Sequence, residues 1–161
     1  MTPEAHHQIP RTILVTGGSG YIASWIIKFL LEDGHQVNTT VRDPKNETKV
    51  AHLLQLSEAH PGQLKLFAAD LLEADSFREA MQGCQVVLHT ASPFFISNIK
   101  DGQKELIEPA LEGTRNVLRS VNETETVERV VLTSSVAAIY GDAVDMSSAD
   151  NPARFTERDW N

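Results

Sequence analysis

Residues 12–23 read T-I-L-V-T-G-G-S-G-Y-I-A, an apolar β-branched run that breaks into glycines and continues as a helix-forming segment. Thr12–Thr16 has the composition of a buried strand. Tyr21–Asp33 carries Ile22, Trp25, Ile26, Phe29 and Leu30 at helical spacing and stops at Gly34, so those apolar residues are expected to form its buried face. Gly17, Gly18 and Gly20 lie between strand and helix. Their spacing satisfies G-x-G-x-x-A counted from Gly18 and G-x-x-G-x-x-A counted from Gly17. One such glycine permits the tight turn, a second lets a pyrophosphate approach the backbone, and a small third residue lets helix and strand pack closely. The phosphate then rests on free N–H groups at the positive helix end, which puts Gly17, Gly20, Tyr21 and Ile22 against a dinucleotide.

Working outward, strands and helices alternate. Gln36–Arg42 reads as a second strand closed by Asp43-Pro44, and Lys49–Glu58, with Val50, Leu53, Leu54 and Leu56, as a helix ended by His60-Pro61-Gly62. Leu64–Ala68 is a third strand, and Asp75–Met81 a helix capped by Asp75 and closed by Gly83. Val86–Thr90 is a fourth strand. Gln103–Val121 is a longer helix whose first turns Pro109 should kink or shift, and Glu128–Thr133 is a fifth strand. Nearly continuous apolar strands alternating with helices imply a parallel sheet covered on both faces, an α/β Rossmann-type doubly wound fold with order 3-2-1-4-5. Residues 1–10 are expected to be disordered, 11–135 to form the binding domain, and 136–161 to be an irregular acidic segment.

A chain of 161 residues, 41% hydrophobic, suits one globular domain. The lone Cys84 excludes an intramolecular disulfide framework and suits a reducing, cytoplasmic setting, where it reads as a small core residue. Fourteen Lys+Arg against 22 Asp+Glu leave a net charge of −8, the wrong sign for nucleic acid or an anionic membrane. The most apolar stretch, Ile22–Leu31, is broken by Lys28 and too short to span a bilayer. His6, His7, His35, His52, His60 and His89 show no ligand spacing, so no metal is expected, and His89 reads as a core histidine. Ser134 and Ser135 lack the G-x-S-x-G elbow of a hydrolase. Phe94, Phe95 and Ile96 either wall a site or cover the core.

The tip of the second strand selects the coenzyme. An acid there holds the ribose hydroxyls of NAD, whereas arginine pairs with the 2′-phosphate of NADP. The tip reads Val41-Arg42-Asp43, with Lys49 supplying a second positive charge. NADP(H) is the expected coenzyme; Asp43 as ribose ligand would instead give NAD.

The chain resembles the extended short-chain dehydrogenase/reductase superfamily, in its dihydroflavonol-reductase-like and fungal aldehyde/ketone-reductase-like branch. The resemblance runs from Arg11 onward and rests on TGGSGYIASW, TVRDP, AADL (Ala68–Leu71), GCQVVLHTASPF (Gly83–Phe94), EPALEGTRNVL (Glu108–Leu118) and RVVLTSS (Arg129–Ser135). It implies that Arg42 and Lys49 bind the 2′-phosphate and that Asp70 and Leu71 contact adenine. It further implies that Thr90, Ala91 and Ser92 line the coenzyme, and that Ser135 is the catalytic serine that hydrogen-bonds a substrate carbonyl. The implied activity is NADPH-dependent reduction of an aldehyde, ketone or flavanonol-like carbonyl. A nucleotide-sugar epimerase or dehydratase and a non-catalytic NADP-binding sensor are the alternatives.

One departure stands out. The family's general acid is the tyrosine of a Y-x-x-x-K motif, but Tyr21 is followed four residues on by Trp25, and Tyr140 by Val144. The last lysine is Lys104. The expectation is therefore a coenzyme-binding portion, inactive alone and truncated before its C-terminal strands and substrate region.

Overall fold

The computed structural model describes residues 9–93, 99–139 and 158. Expectations for the start of the chain, for Phe94–Ile96, for Tyr140 and for nearly all residues C-terminal to it lie outside those bounds. Five strands, β1 (Thr12–Thr16), β2 (Gln36–Val41), β3 (Leu64–Ala68), β4 (Val86–His89) and β5 (Arg129–Leu132), form one sheet of order β3-β2-β1-β4-β5. Every neighbouring pair is parallel, with Thr12 opposite Gln36 and Thr16 opposite His89. The helices are α1 (Tyr21–Glu32), α2 (Glu47–Ala59), α3 (Arg78–Met81) and α4 (Glu108–Asn122).

Side-chain alternation along β1 builds two cores. Ile13 and Val15 pack with Ala23, Ile27 and Leu31 of α1 and Val50 and Leu53 of α2. Leu14 faces the other way, into Phe77, Ala80, Met81, Cys84, Val87 and Val117. The sheet is thus doubly wound in the expected order.

Three local readings need correction, and one expected irregularity takes a specific form. The buried stripe of α1 is Ala23, Ile27 and Leu31, while Ile22, Trp25 and Phe29 are exposed at 56%, 44% and 54%. Ile26 and Leu30 only flank the core. The helix is apolar on two adjacent stripes, and the sheet takes the one bearing the small Ala23, which permits a closer approach. On the outer stripe Trp25 and Phe29 pair at 5.7 Å, with the Lys28 ammonium 5.1 Å from the Trp25 ring centre.

Second, α3 starts at Arg78 and has no side-chain cap. Asp75 has φ +62, outside the extended geometry of a capping residue, and it contributes its carbonyl to the Arg78 amide instead. Third, residues Gln103–Ile107 form a π-helical segment before α4, with Pro109 in the first turn of α4. A proline there lacks the N–H that would continue the preceding register, so the expected shift takes this form. Fourth, β5 is poorly covered, with Val131 and Leu132 exposed at 48% and 55%. Like β3, it is an edge strand of the described sheet, with a paired neighbour on one side only. Among the described residues no helix is long and apolar enough to cross a membrane.

Candidate functional site

Parallel strands end along one edge of the sheet, and the expected site residues lie just beyond those ends, except Tyr21, Ile22 and Lys49 in the first turns of the helices that follow. Asp70 and Leu71 follow β3, Arg42 follows β2, and the glycine loop follows β1. Thr90, Ala91 and Ser92 follow β4, and Ser135 follows β5. β1 lies where the strand order reverses, which opens a crevice above its C-terminal end.

Each glycine of the loop has its own cause. Gly17 has φ +74, and a Cβ there would also lie 3.0 Å from Cα of Ala91. A Cβ on Gly18 would run into Oγ1 of Thr39. Thr39 is buried on β2, and its hydroxyl donates to the Val15 carbonyl at 2.8 Å. The loop is therefore seated directly on β2, with the Gly18 amide donating to the Thr40 carbonyl at 2.8 Å and the Gly17 amide to its hydroxyl at 3.3 Å. Those two amides are consumed by the fold. Gly20 precedes α1 in extended conformation with no side-chain cap, so the first-turn amides, those of Tyr21 and Ile22 among them, lack an intrahelical acceptor and can donate to a phosphate.

At the end of β2 a cleft of about 520 Å3 is lined by Ser19, Arg42, Asp43, Asn46, Thr48, Lys49 and His52. Asn46 caps α2 by accepting from the Lys49 amide at 3.3 Å, which fixes the turn on which Lys49 rides. One carboxylate oxygen of Asp43 is engaged by the Lys45 amide at 2.9 Å. Arg42 and Lys49 are both exposed on the cleft wall. His52, half-buried, places Nε2 3.2 Å from the Gly18 carbonyl.

Thr16 organises the other side of the loop. Its hydroxyl oxygen accepts the amides of Thr90 and Ala91, each at 3.1 Å, and lies 2.8 Å from Nδ1 of His89. A hydroxyl has one proton, so with both amides donating, that proton goes to Nδ1 and His89 is neutral with its own proton on Nε2. Burial pushes the His89 pKa below the ordinary imidazole value, in agreement. The Thr90 hydroxyl returns a bond to the Thr16 carbonyl at 2.6 Å. Together these bonds clamp the end of β4 to the end of β1.

Asp70 uses Oδ1 to accept the Leu72 amide at 2.9 Å, and Asn116 on α4 donates to the Leu71 carbonyl at 2.8 Å. Gly113, one turn earlier, leaves room for the Leu71 side chain, since a Cβ there would come within 2.9 Å of it. Ser135 is exposed, and its Oγ accepts the Ala137 amide at 3.2 Å.

Sequence reasoning missed His52, Asn46, Asn116 and Gly113. The signals existed: Asn46 stands where a capping residue belongs, and Gly113 is a glycine inside a helix, which asks for a packing reason. His52 carried no signal, because its partner is a backbone carbonyl 34 residues away. Cys84 is fully buried and burial raises its thiol to about 11, as befits a core residue. Among the described residues no three His, Cys, Asp or Glu side chains gather as a metal site.

The fold and the sequence are similar to those of known proteins. The chain is 53% identical over 127 residues to a cinnamoyl-CoA reductase of Medicago truncatula, covering 79% of this chain and 38% of that one. It is 46% identical over 133 residues to an anthocyanidin reductase of Arabidopsis thaliana, covering 83% and 38%. The crystal structure of Gre2 from Candida albicans in complex with NADPH superposes with TM-score 0.80 at 38% identity, over 94% of this chain and 44% of that one. The chain therefore spans about two fifths of the length of the curated relatives it matches. Residues 13–158, almost everything from β1 onward, match a single family description, and with the glycine loop at the switch point of its sheet the chain belongs to the NAD dependent epimerase/dehydratase family.

Proposed function

We propose that this chain is the coenzyme-binding portion of an NADP(H)-dependent carbonyl reductase, working on an aldehyde, ketone or flavanonol-like substrate. The observation that carries the reading is the cleft beyond β2, which presents Arg42 and Lys49 while Asp43 spends a carboxylate oxygen on its own turn. Two cations beside a volume of about 520 Å3 suit a 2′-phosphate better than a bare ribose diol. The family description names NAD, but relatives of this chain include the Gre2 structure with NADPH and several reductases. The buried thiol of Cys84 fits a reducing, cytoplasmic setting.

The same reading gives the coenzyme a place from end to end. Asp70 and Leu71, held by Asn116, would meet adenine, and Arg42 and Lys49 the 2′-phosphate. The first turn of α1 would receive the pyrophosphate, with Thr90, Ala91 and Ser92 beside the nicotinamide half. The bound coenzyme supplies hydride to a carbonyl carbon. Ser135 would orient that carbonyl, donating its hydroxyl proton to the oxygen while its lone pair stays with the Ala137 amide. The proton donor of the family is a tyrosine four residues before a lysine, and no such pair occurs in these 161 residues. The chain alone is therefore expected to bind coenzyme without turnover.

The test is coenzyme titration followed by nicotinamide fluorescence. The 161-residue chain should prefer NADPH to NADH, and Arg42→Ala should weaken NADPH by about tenfold or more, the worth of a hydrogen bond to a charged group, while sparing NADH. An unchanged preference in Arg42→Ala would sink the phosphate assignment. Measurable reduction of aldehydes by the chain alone would show that the tyrosine and lysine are dispensable.

A further inference from the structure

A loop that receives anionic phosphates must present N–H groups and turn its carbonyl oxygens elsewhere, because a carbonyl dipole aimed at a phosphate repels it. Four consecutive carbonyls at the end of β1 are each tied down. The Val15 carbonyl is held by the Thr39 hydroxyl at 2.8 Å, that of Thr16 by the Thr90 hydroxyl at 2.6 Å, and that of Gly17 by the Gly20 amide at 2.8 Å. The fourth, on Gly18, is held by Nε2 of His52 at 3.2 Å. A carbonyl can only accept, so Nε2 carries the proton in this contact.

His52 is the one of these partners that arrives from a helix outside the loop and its flanking strands. It stands on α2, one turn beyond Lys49, and it lines the same cleft as Arg42, Lys49 and Ser19. It thus connects the wall of that cleft to the peptide between Gly18 and Ser19. Neither the fold nor the cleft requires a histidine for packing there, since α2 buries Val50 and Leu53 and leaves His52 half-buried.

We propose that His52 is a positioning residue of the coenzyme site: it holds the Gly18 carbonyl on α2, so that the loop keeps its donors facing the dinucleotide phosphates. This rests on the dinucleotide reading above. The role concerns the pyrophosphate, which NADPH and NADH share, and differs from that of Arg42 and Lys49, which meet a group only NADPH carries. The charged groups around it on the cleft wall are Arg42, Asp43 and Lys49. Both the neutral Nε2–H form and the imidazolium can donate to the carbonyl, so the role does not depend on the histidine's charge.

The experiment measures dissociation constants for NADPH and NADH on the 161-residue chain and on four variants, His52→Ala, His52→Leu, His52→Gln and Arg42→Ala. Removing the donor in His52→Ala should weaken both coenzymes by the same factor, between about threefold and tenfold, the net worth of one hydrogen bond. His52→Leu keeps the bulk without the donor and should match it, which guards against a packing defect in the alanine variant. His52→Gln returns an N–H donor and should recover most of the loss. Arg42→Ala should affect NADPH only. If His52→Ala and His52→Leu bind both coenzymes as the parent does, the positioning role is wrong. A loss confined to NADPH would make His52 a phosphate ligand and also overturn the proposal. A parent chain that binds neither coenzyme overturns the dinucleotide reading, and this inference with it.

Discussion

At the scale of single residues, hydroxyl and imidazole stoichiometry does the most to define this site. Thr16 has one proton and two lone pairs, and its three partners use all of them. His89 must then accept at Nδ1, and protonating that nitrogen would set two donors against each other. Burial already holds the pKa of His89 below its usual 6.5. In the unfolded chain the imidazole takes up a proton near that usual value, so between the two values the unfolded state binds more protons than the folded one. Stability should thus be intact above about pH 6.5 and fall as the pH drops below it. Denaturation midpoints from pH 7.5 down to 5 check this. In His89→Phe that part of the slope should vanish, although the Thr16 hydroxyl loses its acceptor and the variant should be less stable throughout.

At the scale of elements, α4 bears on the candidate site through Leu71. Its buried residues, Gly113, Asn116, Val117 and Ser120, form a stripe against the sheet. Two of them grip Leu71, Gly113 by yielding space and Asn116 by its hydrogen bond at 2.8 Å. Asn116→Ala leaves the Leu71 carbonyl without that donor and should cost about 1–3 kcal/mol of stability, read from chemical denaturation. The same variant should loosen the β3 end of the site and weaken NADPH binding. Thr114 is the control: its hydroxyl bonds back to the Ala110 carbonyl of its own helix at 2.8 Å, and Thr114→Ala should leave coenzyme binding unchanged.

At the scale of the whole molecule, packing is uneven across the sheet. Leu53, on α2, is fully buried in the core shared with α1, whereas Val131 on β5 is 48% exposed. In the 161-residue chain Leu53→Ala should cost about 2–5 kcal/mol through lost burial and the cavity left behind. Val131→Ala should cost no more than about 1 kcal/mol, the span of strand propensity. Equal losses at the two positions in urea titrations would mean that β5 is covered in solution by something that buries Val131.

The sequence by itself determined the layer architecture, the strand order and the place of the glycine loop. Alternating strands and helices leave few parallel topologies, and a glycine loop works only at a strand-to-helix turn. It also brought out Arg42 and Lys49 as candidates, because one follows a recognisable strand end and the other lies in the first turn of the next helix. Only the tertiary structure decided which stripe of α1 is buried, since apolar residues on two stripes satisfy the same helical period. The positive φ of Asp75 was likewise hidden, because it reflects how the chain turns onto α3 rather than any local propensity. The contacts of His52, His89 and Asn116 were equally invisible. Each acts through a contact between residues far apart in the chain, to Gly18, Thr16 and Leu71 in turn. Composition and periodicity report what a residue needs from solvent; which distant atom answers that need is settled when the sheet and helices close around it.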